Sequence, residues 1–174
     1  MALTNALDSK YRKPGFVGHP FPSVEARIVD SSSGHVLVQG DQVSTKVCDN
    51  QSDLSGDLQI RGSNVFKCYY GRPEATAKEF TDDGWFKTGD TAQFHEQSFK
   101  ILGRSSVDII KSGGYKISAL HVERLLLGHP DISDVAVLGL EDPVWGQKVA
   151  AVIVLTPDAD FSIEKVSFYI QASF

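Results

Sequence analysis

The chain has 174 residues, 41% of them hydrophobic and 22% charged, and carries a formal net charge of −5. That is the composition of one globular domain or two small ones. There is no basic cluster of the kind non-specific nucleic-acid binding needs, and no apolar run reaches the length of a membrane span. The two cysteines, Cys48 and Cys68, stand outside any metal-type spacing and read as free thiols of a reducing compartment. The five histidines are scattered, so no metal site is expected. The opening stretch MALTNALDSKYRK lacks the apolar core of a secretory signal and is no clear targeting segment of another kind.

Residues 1–23 are broken by Pro14-Gly15, His19-Pro20 and Phe21-Pro22, which predicts an irregular lead-in. Glu25–Val29 alternates polar and apolar side chains and predicts a half-buried strand. Asp30–Gly34 is a turn, and His35–Val38 returns beside the first strand. Gln39–Ser55 is polar and reads as an exposed loop. Gly56–Arg61 alternates again, and Val65–Tyr70 is rich in aromatic residues; both read as strands of a small antiparallel barrel or sheet. Arg72–Phe80 has helical character, with Pro73 suited to a first turn and Glu74 near its positive end.

Asp83–Ser118 is the densest stretch. Trp85–Thr88 reads as a strand ending at Gly89-Asp90, Ser98–Leu102 as one ending at Gly103-Arg104, and Val107–Lys111 as one ending at Ser112-Gly113-Gly114-Tyr115. A carboxylate at Asp90 can accept two hydrogen bonds from a vicinal diol, and the planar fork of Arg104 can bond a sugar oxygen or a phosphate. Taken alone, both dipeptides also fit ordinary turns, and Gly113-Gly114 fits a plain hairpin turn.

Beyond it the pattern is α+β. Ser118 suits an N-cap, Ala119–Leu127 a helix with one broad leucine-rich face, and Gly128 with Pro130 a helix stop. Val135–Leu140 and Lys148–Leu155 read as buried strands. Ser162–Ile170 opens like a second helix, with Ser162 as its cap and with the aromatic residues Phe161, Phe168, Tyr169 and Phe174 around it.

Gly-Trp-Phe-Lys-Thr-Gly-Asp at 84–90, Gly-Arg at 103–104 and Ile-Lys-Ser-Gly-Gly-Tyr-Lys-Ile at 110–117 together resemble the adenylate-forming superfamily. Its members include acyl-CoA synthetases, peptide-synthetase adenylation domains and luciferases. The resemblance runs from about Pro14 to Leu155, and Val107–Leu120 looks most like mitochondrial malonyl-CoA-forming synthetases. It implies an α+β fold, with a partial antiparallel β-barrel subdomain over 1–103 followed by a hinge and a small, incomplete C-terminal α+β domain over 104–174. It implies ATP or AMP and CoA as cofactors and a carboxylic acid, malonate or a fatty acid, as substrate. Asp90 and Arg104 would hold the ribose, and Ser112, Gly113, Gly114 and Tyr115 would border the pantetheine channel. Ser106 stands where the family carries a hinge Asp or Lys.

The family's phosphate loop, its Tyr-Gly-x-Thr-Glu motif and its adenylating Pro-x-x-x-Gly-Lys lysine have no counterpart in this sequence. No catalytic residue is therefore assigned, and the expected Mg²⁺ has no assignable ligands. The chain reads as truncated at both ends and incomplete for catalysis on its own. Two other readings remain open: a non-catalytic nucleotide-binding or regulatory fragment associating with a full-length homologue, and an adenylation domain that loads a carrier protein. The resemblance places the chain in mitochondria; without it, the cytoplasm.

Overall fold

A computed structural model describes residues 2–5, 10, 12–13, 15–48, 54–157, 159, 162 and 164. The chain divides into two compact units, Met1–Ser105 and Ser106–Phe174. Their architecture is the expected one: a curled antiparallel sheet in the first and a smaller sheet with a helix in the second.

The first unit contains β1 (Leu3–Thr4), β2 (Phe16–Pro20), β3 (Val24–Val29), β4 (Val36–Gly40), β5 (Thr45–Val47), β6 (Ser55–Gly62), α1 (Pro73–Glu79), β7 (Phe86–His95) and β8 (Ser98–Arg104). They form an eight-stranded sheet in the order β1-β2-β8-β7-β6-β3-β4-β5. Alternation along β3 sends Ala26 and Ile28 inward, where they meet Leu37, Leu58, Ala92 and Phe99, all buried. Burying each such side chain contributes about 1.5–3 kcal/mol. On the opposite face, the Arg27 and Arg61 guanidinium carbons lie 4.4 and 4.6 Å from the Trp85 ring centre. Their stems and cations cover an indole that is only 1% exposed.

Four expectations need correction here. The lead-in is not wholly irregular: β1 and β2 pair there, because left-handed Gly15 and Gly18 let the chain bend onto the sheet edge. The polar loop after Gln39 contains β5, turned back by Asp41, whose carboxylate accepts from the Val43 and Ser44 amides at 2.8 Å. Val65–Tyr70 is not a strand. Phe66 instead packs on Phe80 and Phe86, ring centres 5.5 and 4.8 Å apart, so side-chain packing overrides β-propensity. Finally, Gly89-Asp90 does not end a strand, since β7 runs through it to His95.

The second unit contains β9 (Ile109–Ser112), β10 (Tyr115–Ser118), α2 (Ala119–Leu127), β11 (Ile132–Asp142) and β12 (Gly146–Leu155), with sheet order β10-β9-β12-β11. The helix has its expected bounds. Ser118 Oγ accepts the His121 amide at 3.1 Å, and Gly128 follows as C-cap. Ala119 and Leu126 pack with Ile110, Ile132 and Val137. Glu123 reaches from the helix to accept the Val137 amide at 2.9 Å, covering a donor on the edge strand β11. The last two strands are not buried as expected. Only one face meets α2, and on the other Val152 is 64% and Val154 53% exposed. The helix expected from Ser162 lies almost wholly outside the described residues, as do Phe161, Phe168, Tyr169 and Phe174.

Candidate functional site

The sequence Thr88-Gly89-Asp90 forms a bulge. Asp57 pairs with Thr91 and Gln59 with Lys87, so a single residue of β6, Leu58, faces three of β7. Thr88 Oγ1 donates to the Leu58 carbonyl at 3.0 Å and accepts the Asp90 amide at 3.1 Å, fixing both ends of the bulge. Gly89 sits at its apex with φ of 75°, a backbone conformation that glycine adopts without cost. A bulge re-aims a side chain of the bulged strand. Here that side chain is Asp90, which lines a largely apolar cavity of about 420 Å³ together with Leu58, Phe66, Phe86, Thr88 and Ile101.

Arg104 faces Asp90 directly across the β7–β8 ladder. Its Nε lies 3.2 Å from Asp90 Oδ1, and its Nη1 donates to the Thr88 carbonyl at 2.7 Å. A Cβ on Gly89 would stand 3.2 Å from that Nη1, so the glycine also makes room for the guanidinium. The product is an anion and a cation side by side, with the anion lining the cavity. Such a pair can accept from, and donate to, the hydroxyls of a sugar.

Three polar groups next to this pair escaped the reading of the sequence. Thr91, 3% exposed, shares a 2.8 Å hydrogen bond with the Ser105 hydroxyl, which lies 3.4 Å from Asp57 Oδ1. The Ser105 amide donates to the Gly89 carbonyl at 3.0 Å. The chain is thus held to the sheet up to the last residue of its first unit. Ser106, the residue read as a hinge, is exposed and is the first residue of the second.

The other expected site residues lie in the second unit. Ser112 pairs with Tyr115, and Gly113 and Gly114 make the two-residue turn between them with φ of 57° and 86°. Both angles are left-handed, which is why glycine occupies both places. Tyr115 is 76% exposed. The residues expected to act thus form two groups, Asp90 with Arg104 and Ser112 through Tyr115, one in each unit. Among the described residues there is no cluster of His, Cys, Asp or Glu able to hold a metal ion, and no helix is long and apolar enough to cross a membrane.

Residues 121–172 match the AMP-binding enzyme C-terminal domain. Along its length the chain is similar to adenylate-forming CoA ligases. In particular, this chain is similar to proteins named malonate–CoA ligases. It is 53% identical over 161 residues to the mitochondrial malonate–CoA ligase ACSF3 of Bos taurus, and covers 27% of that protein with 89% of its own length. To the human protein of the same name it is 49% identical over 161 residues, covering 28% of it with 89% of this chain. Among solved structures, ATP-bound MatB from Rhodopseudomonas palustris superposes with a TM-score of 0.75 at 32% identity, over 99% of this chain and 32% of that one. The chain therefore spans between a quarter and a third of the length of these relatives.

Proposed function

We propose that this chain carries the ribose-holding and thiol-channel elements of an ATP-dependent acid–CoA ligase that works through an acyl-adenylate. The observation that carries the reading is the Asp90–Arg104 pair at the bulge, with Asp90 lining the cavity. Its support is the similarity to proteins named malonate–CoA ligases. The acid is malonate and the compartment the mitochondrion on the same ground.

In the first half-reaction a substrate carboxylate oxygen attacks the α-phosphorus of ATP. The bond to the bridging oxygen breaks, and pyrophosphate leaves. In the second, the CoA sulfur attacks the acyl carbon, the thiol proton goes to solvent, and AMP leaves. Asp90 accepts hydrogen bonds from the ribose hydroxyls in both steps. Arg104, held by the Thr88 carbonyl, donates to the same sugar and keeps the carboxylate oriented. Positioning of this kind is a main source of rate in phosphoryl and acyl transfer. The Gly113-Gly114 turn lets backbone approach a narrow thiol arm, and Ser106 is the pivot between the steps. The described residues offer no group of three or more His, Cys, Asp or Glu that could hold a metal ion. The full cycle draws on phosphate-binding and adenylating groups outside this sequence, in a longer chain or in a partner.

The test has two readouts. Millimolar AMP should shift the amides of Gly89, Asp90 and Arg104, and Asp90→Ala should abolish the shift. No shift at any of the three sinks the ribose assignment. With ATP, malonate and CoA, the purified chain should release no AMP. Acid-dependent release that vanishes in Asp90→Ala would keep the ligase and remove its dependence on outside groups. A phosphopantetheine carrier offered in place of CoA tests the acceptor.

A further inference from the structure

The Ser112–Tyr115 turn is held from outside its own hairpin as well as by the β9–β10 ladder. Two left-handed glycines supply no side chain to brace it. The brace comes from the β11–β12 turn, far along the chain. Gly113 donates its amide to the Trp145 carbonyl at 2.9 Å, Gly146 pairs with Ser112, and the Lys111 amide donates to Gln147 Oε1 at 2.7 Å. The Trp145 ring lies against Gly113: a Cβ built there would come within 2.7 Å of Cε3 and 2.9 Å of Cζ3. Trp145 is itself fixed, since Asp142 Oδ1 accepts both its amide and that of Val144 at 2.9 Å. Yet the residue remains 55% exposed. A large apolar ring held half in water by a built turn, in contact with a glycine, is placed to support that glycine.

We propose that Trp145 is a positioning residue for the Ser112–Tyr115 turn. Its indole fixes the shape of the backbone offered to the thiol arm, and Gly113 is required by the indole as well as by its own φ angle. The functional half of this statement rests on the reading of that turn given under Proposed function; the structural half does not.

Hydrogen exchange at the Gly113 and Gly114 amides of the whole chain tests it, with the amides of Ala119–Leu127 as the control for folding. Trp145→Ala should speed exchange at both glycines about tenfold and leave the helix unchanged, whereas Trp145→Phe should stay within about threefold of the wild type. Unchanged glycine exchange in Trp145→Ala, with the helix intact, overturns the proposal. Should the helix loosen too, Gly113→Ala decides. It should push the ring aside and increase iodide quenching of Trp145, while Trp85, 1% exposed, stays shielded; unchanged quenching overturns the proposal. Added CoA should shift the Gly113 and Gly114 amides in the wild type. If the exchange results hold and CoA shifts neither, the brace stands and the thiol-channel reading of the turn falls.

Discussion

Asp83 shows how much one exposed carboxylate can depend on its neighbour. It forks onto Arg27 at 2.8 and 3.2 Å, and those bonds, with Thr81 second, lower its pKa from 3.8 to about 2. A lowered carboxylate pKa contributes stability that is complete above pH 3.8 and lost as pH falls through about 2. The first unit should therefore weaken across that window. Asp83→Asn should flatten that part of the curve in urea melts at stepped pH, and equal slopes in both proteins would refute the assignment. Gly89 gives a second prediction at this scale. Alanine there must hold a left-handed φ and crowd Arg104, so Gly89→Ala should cost about 1–2 kcal/mol in chemical denaturation. It should also shift the Arg104 Nε resonance. A neutral substitution would mean that the bulge is not rigid.

At the scale of elements, local chemistry and pairing each decide part of the outcome. The helix Ala119–Leu127 is legible because its signals are adjacent in sequence: a serine cap, a leucine-rich face, a glycine stop. Ser118→Ala should cost about 1 kcal/mol, measured by thermal melting. The bulge at 88–90 is not legible, because Gly-Asp reads as a turn until strands are known to pair on both sides of it. Val65–Tyr70 misleads for a related reason: aromatic residues favour strands only when a ladder is available. The β7–β8 hairpin turns on Glu96-Gln97, with φ of 50° and 60°, where Asn-Gly is the usual choice. Replacing the pair with Asn-Gly should stabilise the first unit by about 0.5–1 kcal/mol, since relief of two left-handed residues outweighs the exposed Lys13–Glu96 ion pair. A lower melting midpoint would reverse that ranking.

At the scale of the whole molecule, each compact unit has its own hydrophobic cluster. Independent cores break two-state behaviour. Calorimetry should resolve two transitions, with Ser118→Ala moving only one of them; a single transition moved as a whole would mean that the cores melt together. The positions of Asp90, Arg104 and the Gly-Gly turn were legible because motif order survives in one dimension. Thr91, Ser105 and Trp145 were not, because each matters through a contact that sequence spacing does not announce. The small sheet shows valines on its open face, beside an eleven-residue edge strand. That has a bearing at the bench. An exposed apolar face next to an edge strand is a template for cross-chain stacking. Preparations of this chain should cloud as they are concentrated, and a lysine at Val152 or Val154 should be the simplest way to keep them clear.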